Sequence, residues 1–220
     1  MDSCEDDGTW IWTAVDPASR AVLGHIVGPR RQRSADKMLQ IVKKRVTGIP
    51  LFVSDGLKMY TRSLLRTYGV LTKFPKTGMV GRPRGPALIP PLDLRYGQMI
   101  KHQQNGHLLC VERRVIFGDV DIADITTSFV ERCNLTMRQD NRRLGRKTLA
   151  FSRKEKPLDD QMTLSFAAFN FCRPHLSLKD RELIGPDSER TPMMALSVTD
   201  HVWSLRELLS FPYHKTSGYK

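Results

Sequence analysis

Several features that mark membrane or secreted proteins are missing from this sequence. No apolar run approaches the ~20 residues that a membrane-spanning helix needs, so we do not expect a membrane protein. Residues 1–7 are acidic and polar, whereas a signal peptide has a basic start and then an apolar stretch. The 220 residues include only four cysteines, and none of them forms a CxxC pair. We therefore expect reduced thiols in a cytoplasmic protein rather than a disulfide framework.

A zinc site and a repeat architecture are also disfavoured. His102, His107 and Cys110 lie close together in the sequence, but they lack a fourth ligand at any standard zinc spacing. There are no internal repeats and no low-complexity tracts. The hydrophobic fraction of 40% is ordinary for a globular protein, and the length is sufficient for a core of its own.

Acidic residues are scarce relative to basic ones. The chain has 35 Lys and Arg against 23 Asp and Glu, which gives a formal net charge of +12. Such a surface attracts polyanions and favours a nucleic-acid partner. Charge alone leaves a second interpretation open, which is a basic protein without such a partner.

Hydrophobic periodicity and turn residues predict alternating strands and helices. Strands are expected at residues 10–15, 21–27, 49–55 and 108–117, the first two as a hairpin. Helices are expected at 34–45, from about 57 through Leu65, at 126–144, at 158–172 and from about 199. Many Pro and Gly residues predict a long basic loop at 75–97. Strands mixed with helices predict an α/β fold with a sheet covered on its faces.

Two acidic residues could carry chemistry. Asp55 ends a short apolar run and precedes Gly56, so it could hold a divalent ion at a strand end; the alternative is a turn residue that caps the next helix. Glu131 lies in the first turn of a predicted helix and could supply a second ligand. Its alternative role is a capping box, in which it returns a hydrogen bond to the backbone of Ser128.

A basic run follows Glu131 directly. Most charge runs are solvated faces, but the position of this one after a candidate metal ligand favours contacts with nucleic-acid phosphates. Arg138 lies seven residues after Glu131 on the same helix face. The basic residues of the run are Arg138, Arg142, Arg143, Arg146, Lys147, Arg153, Lys154 and Lys156.

These segments together resemble the insertion-sequence-one-like DDE transposases. The block from Val130 to Gln139, followed by residues 146–152, is similar to the family's third-carboxylate block. Residues 54–60 are similar to its second-Asp block, and residues 10–16 to the second strand of its catalytic domain. Residues 170–175 and 199–205 resemble segments nearer its C-terminus. The matches follow the family's order over nearly the whole chain.

The resemblance implies a ribonuclease-H-like mixed sheet flanked by helices over residues 1–182, and a tail with one short helix over 183–220. It implies two-metal phosphoryl transfer with two Mg²⁺ ions about 3.5–4 Å apart, for which Mn²⁺ can substitute. Asp55 and Glu131 would be catalytic metal ligands. The DNA-binding residues would be Lys58, Arg138, Arg142, Arg143, Arg146 and Lys147. The implied partners are insertion-sequence ends and target DNA, with a homo-oligomer for the full-length protein and a bacterial, nucleoid-associated location.

One departure from the family pattern is important. The family's first catalytic Asp lies in a first strand that this sequence lacks, because Asp2, Asp6 and Asp7 do not lie in an apolar strand. The hypotheses are therefore a transposase catalytic domain that needs this carboxylate from elsewhere, or a non-catalytic DNA-binding remnant of a mobile element. A third is another ribonuclease-H-like nuclease, because a fold does not fix a function.

Overall fold

The computed structural model describes residues 8–74, 85–145, 149–150, 152–180, 182–183 and 185–212. It divides into two compact units. Unit 1 comprises Met1–Ala14 and Leu23–Asp140, and unit 2 comprises Val15–Val22 and Asn141–Lys220. In the described part of the chain, no helix has both the length and the apolar character that crossing a membrane requires.

Strands and helices are mixed along the chain, as the sequence patterns predict, although the strands at Val70–Thr72, Ala87–Ile89 and Arg95–Gln104 were not predicted. The strands are β1 (Thr9–Val15), β2 (Val22–Pro29), β3 (Leu51–Ser54), β4 (Val70–Thr72), β5 (Ala87–Ile89), β6 (Arg95–Gln104) and β7 (His107–Phe117). The helices are α1 (Gln32–Arg45), α2 (Lys58–Tyr68), α3 (Ser128–Asp140), α4 (Glu155–Phe171), α5 (Pro192–Ala195) and α6 (Leu205–Ser210).

The main sheet has the order β3-β6-β7. β3 runs parallel to β6, with Leu51 opposite Arg95 and Ser54 opposite Gln98. β6 and β7 are antiparallel and form a long hairpin. Asn105 and Gly106 turn this hairpin with φ of 52° and 80°, the left-handed conformation that tight two-residue turns require. The fold is therefore α/β with a mixed sheet flanked by helices.

Unit 1 packs its helices against the strands through apolar faces. One buried cluster contains Trp12 of β1 together with Ala35, Met38 and Val42 of α1, and Phe52 of β3 packs against it. The apolar residues of α1 recur at intervals of three and four, which puts them on one face of the helix. The sequence predictions of β1, β2, α1, β3 and α2 are confirmed within a few residues.

The predicted loop at 75–97 is wrong in part. Residues 75–84 lie outside the described residues, but 87–89 form β5 and β6 begins at Arg95. Leu94 and Tyr96 are fully buried with Leu39 and Leu64 in a second cluster. Burial of these side chains, and pairing of β6 with strands on both sides, outweigh the local preference of Pro and Gly for turns.

The helical predictions for residues 126–144 and from 199 need correction at their ends. α3 stops at Asp140 and a separate 3₁₀ turn covers Arg142–Leu144. α6 begins only at Leu205, because the Ser204 hydroxyl accepts a hydrogen bond from the Glu207 amide (3.1 Å) and caps the helix. The short helix α5 was not predicted.

Unit 2 is built around α4. Its buried apolar residues, Leu158, Met162, Phe166 and Phe169, follow helical spacing. At the end of this face, the buried Asn170 side chain pairs with the backbone of Val22. Asn170 Oδ1 accepts from the Val22 amide (2.9 Å), and Asn170 Nδ2 donates to the Val22 carbonyl (3.0 Å). These two bonds satisfy an amide that would otherwise be costly to bury.

Candidate functional site: a cleft with two carboxylates

A cleft of about 460 Å³ opens in unit 1 where β3 ends beside β6 and faces the first turn of α3. We call it the carboxylate cleft. Asp55 and Glu131 both line it, although 76 residues separate them in the sequence. Three cationic side chains line it as well, which are Arg30, Lys58 and Lys101. Carboxylates and cations are therefore mixed in one small volume.

Asp55 follows the last residue of β3 and is exposed. Its Oδ1 accepts a hydrogen bond from the Leu57 amide (3.2 Å), which shapes the turn that leads into α2. The helix itself begins after Leu57 without a side-chain cap. A Cβ at Gly56 would lie 3.0 Å from Cγ1 of Ile100, so the chain passes very close to β6 here. Asp55 thus fulfils the turn role and also lines the cleft.

A half-buried tyrosine, Tyr60, and a buried one, Tyr96, lie near Asp55. Burial raises the pKa of Tyr60, and the negative charge of Asp55 raises it further. Burial likewise raises the pKa of Tyr96, whose hydroxyl lies 2.8 Å from Ser54 Oγ and accepts from Gln98 Nε2 (2.7 Å). Both phenols therefore stay neutral at physiological pH. The Tyr96 hydroxyl links β6 to Ser54 at the end of β3 without adding charge to the cleft.

Glu131 lies in the first turn of α3 with its carboxylate held on two sides. The Thr127 hydroxyl donates to Oε1 (2.6 Å), and Lys101 Nζ lies 2.6 Å from Oε1 and 2.5 Å from Oε2. Burial raises the pKa of Glu131, but the hydrogen bonds from Lys101 and Thr127 and the charge of Lys101 outweigh it and lower the pKa overall. Glu131 is ionised at neutral pH.

The capping box predicted for Ser128 and Glu131 is not what the structure has. Ser128 is the first residue of α3, and its amide donates to Thr126 Oγ1 (3.3 Å). The Glu131 carboxylate instead takes hydrogen bonds from Lys101 and Thr127. The reason is that β6 brings a cation within reach, which the local sequence does not reveal.

A second cleft, of about 570 Å³, lies in unit 2, and we call it the basic cleft. Its charged lining residues are Arg142, Arg143, Arg153 and Lys154. The buried Asn141 positions this segment against α4, because its Oδ1 accepts from Gln161 Nε2 (2.5 Å).

The residues predicted to bind phosphate do not all lie in one place. Lys58 lines the carboxylate cleft, whereas Arg142 and Arg143 line the basic cleft. Arg138 is exposed in the last turn of α3 and lines neither cleft. Arg146 and Lys147 lie outside the described residues.

Sequence reasoning missed Lys101, Thr127 and Tyr96. Lys101 and Tyr96 lie on β6, which was not predicted as a strand. A usable signal is present in β7, because its predicted run at 108–117 needs a partner, and Asn105-Gly106 is a strong hairpin turn. Residues 95–104 would then pair with β7 and carry Lys101 into the sheet.

The donor set of the carboxylate cleft is small. Among the residues that the structure describes, no three His, Cys, Asp or Glu side chains come together as a potential metal cluster. Two carboxylates can nevertheless hold one hard cation, because Mg²⁺ commonly keeps several waters and takes only one or two carboxylates. The described lining of the cleft thus offers two carboxylates, and a two-ion site would need a further acidic group. Searches against family models, curated proteins and solved structures give no match for the chain.

Proposed function

We propose that this chain is the catalytic domain of a DDE-type transposase of the insertion-sequence-one-like kind, in which Asp55 and Glu131 hold a divalent cation. The observation that carries the proposal is that both carboxylates line one cleft from distant parts of the chain. The sequence resemblance singles out the same two residues. Neither argument depends on the other, since proximity in space is not encoded in the local motifs.

A divalent ion in this cleft would activate a water or a DNA 3′-hydroxyl and stabilise the leaving oxygen of the phosphodiester. The chain's own residues contribute binding and orientation. Thr127 orients the Glu131 carboxylate, and the turn at Asp55–Leu57 fixes Asp55 at the end of β3. Arg30 and Lys58 on the cleft wall can contact phosphate oxygens of the same DNA strand.

A two-ion mechanism needs a third carboxylate. We infer that a further strand, carrying that acid, pairs with β1 and β3 and completes a ribonuclease-H-like sheet. Among the described residues β1 pairs only with β2, and β3 only with β6. Trp12 of β1 and Phe52 of β3 pack into one cluster. The buried Trp12 Nε1 has no hydrogen-bond acceptor among the described residues, although a neighbouring strand could supply one.

The basic residues would hold the DNA. Arg142 and Arg143, with Arg153 and Lys154, form a surface for phosphates in the basic cleft. Arg138, Arg146 and Lys147 belong to the same basic run in sequence and are proposed to extend it. In this proposal the partners are the insertion-sequence ends and target DNA. A homo-oligomer would bring two ends together, in a cytoplasmic, nucleoid-associated protein.

A second function is favoured by a specific observation. Both oxygens of Glu131 already receive hydrogen bonds from Lys101, and the described residues provide no third acid. A chain that keeps its basic surface without a working metal site would bind DNA without cutting it. This is the non-catalytic DNA-binding remnant of a mobile element.

Plasmid nicking distinguishes the two functions. The chain is joined to the strand that carries the third acid, taken from an insertion-sequence-one-like transposase. Supercoiled plasmid is incubated with this completed domain and Mg²⁺ or Mn²⁺, and the appearance of nicked circles is followed. The transposase proposal predicts metal-dependent nicking that Asp55→Asn and Glu131→Gln each abolish. Glu112→Gln is the matched control, because Glu112 pairs with Arg114 and His102 outside the cleft. Salt-sensitive DNA binding without nicking under either metal would instead establish the remnant.

A further inference from the structure

Lys101 is the cation that contacts Glu131 directly. It lies on β6 opposite Val111, and its side chain reaches the first turn of α3. Its Nζ is shared between both carboxylate oxygens, at 2.6 Å and 2.5 Å. The two side chains remain 34% and 48% exposed, so solvent and ions reach the pair. An ion pair of this exposure is weak and can exchange.

Thr127 holds Glu131 independently of Lys101. Its hydroxyl donates to Oε1 at 2.6 Å, and the Glu131 amide donates to the Thr127 carbonyl at 3.0 Å. The carboxylate would therefore keep one hydrogen bond, and its place on α3, if the lysine moved away. Glu131 can therefore exchange the Lys101 ammonium group for another cation while its carboxylate stays oriented.

We propose that Lys101 is the resident counterion of the carboxylate cleft, and that a divalent ion enters by displacing its ammonium group from Glu131. This inference rests on the proposed function, since it assumes that the cleft binds a divalent ion. Lys101 is then a positioning residue that sets cation affinity. It balances the charge of Glu131 in the metal-free chain and must give way when the metal binds.

Lys58 provides a comparison within the same cleft. It lines the wall as a cation of equal charge, whereas the Glu131 carboxylate receives its hydrogen bonds from Lys101 and Thr127. If the two lysines act only through general repulsion of a divalent ion, removing either should raise cation affinity similarly. If Lys101 occupies the ion's place, its removal should have the larger effect.

The test is Mn²⁺ binding, measured by electron paramagnetic resonance on wild type, Lys101→Met and Lys58→Met. Loss of a competing charge at contact distance predicts binding roughly fivefold tighter in Lys101→Met. Lys58→Met should change the affinity less than about twofold, since water screens a charge that is not in contact. Lys101→Arg, which keeps the charge, should bind close to wild type.

Thermal unfolding adds a readout that a purely structural ion pair would not give. Lys101→Met should unfold at nearly the same temperature as wild type without metal, because the exposed ion pair is weak, and should gain more from added Mn²⁺ because it binds the ion more tightly. Equal Mn²⁺ affinity in wild type and Lys101→Met, or an equal gain in Lys58→Met, would overturn the inference. If Mn²⁺ binds to wild type and not to Asp55→Asn, the proposed metal site is supported whatever the result for Lys101. Absence of Mn²⁺ binding in every variant would overturn both proposals.

Discussion

The two clefts differ in how their charges are arranged. The carboxylate cleft of unit 1 combines Asp55 and Glu131 with three cations, and one of those cations, Lys101, is in direct contact with an acid. Among the described residues, the charged side chains that line the basic cleft of unit 2 are Arg142, Arg143, Arg153 and Lys154. The volumes are similar, at about 460 and 570 Å³, so size does not separate their functions.

The two clefts differ in the charge of the ligand that each would bind. We propose that a divalent cation takes the place of the Lys101 ammonium group at Glu131, so the carboxylate cleft would bind a cation. A cluster of cations without acids offers nothing to a metal but suits the phosphates of a nucleic acid. In the proposed function, the carboxylate cleft would carry out the chemistry and the basic cleft would bind the DNA.

Neutralising the basic cleft should have the largest effect on DNA affinity. The double variant Arg142→Ala with Arg153→Ala removes two proposed phosphate contacts. The DNA-binding constant falls with nearly the first power of the salt concentration for each such contact, because each contact releases a counterion from the DNA. We expect affinity for a random-sequence duplex to fall roughly fiftyfold at about 0.1 M salt, with the salt slope reduced by about two. Fluorescence anisotropy over a salt series measures both.

The matched control removes two exposed cations from α1, Arg33 and Lys37. The double variant Arg33→Ala with Lys37→Ala changes the net charge by the same amount. It should leave the salt slope nearly unchanged. Equal losses of affinity in the two double variants would mean that DNA responds to overall charge and not to the basic cleft.

A smaller effect is expected from acid, which should destabilise unit 1 because its paired carboxylates become protonated. Burial raises the pKa of Asp36, but hydrogen bonds from Ser63, Gln32 and Arg66 outweigh it, so its pKa is lowered, as is that of Glu131. A carboxyl with a lowered folded-state pKa stabilises above its unfolded pKa of about 4, and this contribution disappears as the pH falls through the folded value.

Tryptophan fluorescence measures this acid effect in unit 1. In a Trp203→Phe background the remaining tryptophans, Trp10 and Trp12, both belong to unit 1. The unfolding temperature should fall as the pH drops below about 4, and fall less steeply when Asp36→Asn is added. An unchanged pH dependence in Asp36→Asn would show that this acid does not contribute to acid unfolding.

Local patterns in the sequence predict the early elements well. A short stretch of sequence is enough to show the hydrophobic pattern of the Trp-rich strand β1, the amphipathic helix α1 and the apolar strand β3. The existence and type of these elements can therefore be predicted from the sequence. Asp55 could be singled out because it ends an apolar run before Gly56. Glu131 stands out through its position at the start of a helix and the block around it.

The middle of the chain could not be predicted in the same way. β6 is polar over much of its length and follows a Pro- and Gly-rich stretch, yet it becomes the central strand because β3 and β7 pair with it on either side. Lys101 reaches Glu131 only through that pairing, across 30 residues of sequence. Contacts made by non-local strands leave no local pattern, and the capping box at Ser128 was predicted wrongly for the same reason.

A comparison of Mn²⁺ binding by wild type and Asp55→Asn tests whether Asp55 and Glu131 form a cation site. Electron paramagnetic resonance counts free Mn²⁺, with Glu112→Gln as a control that removes a carboxylate of β7 outside the cleft. We expect wild type and Glu112→Gln each to bind one Mn²⁺, and Asp55→Asn to bind it at least about tenfold more weakly, because a ligand carboxylate is lost. Equal affinity in all three proteins would contradict the assignment of Asp55 and Glu131 as a cation site.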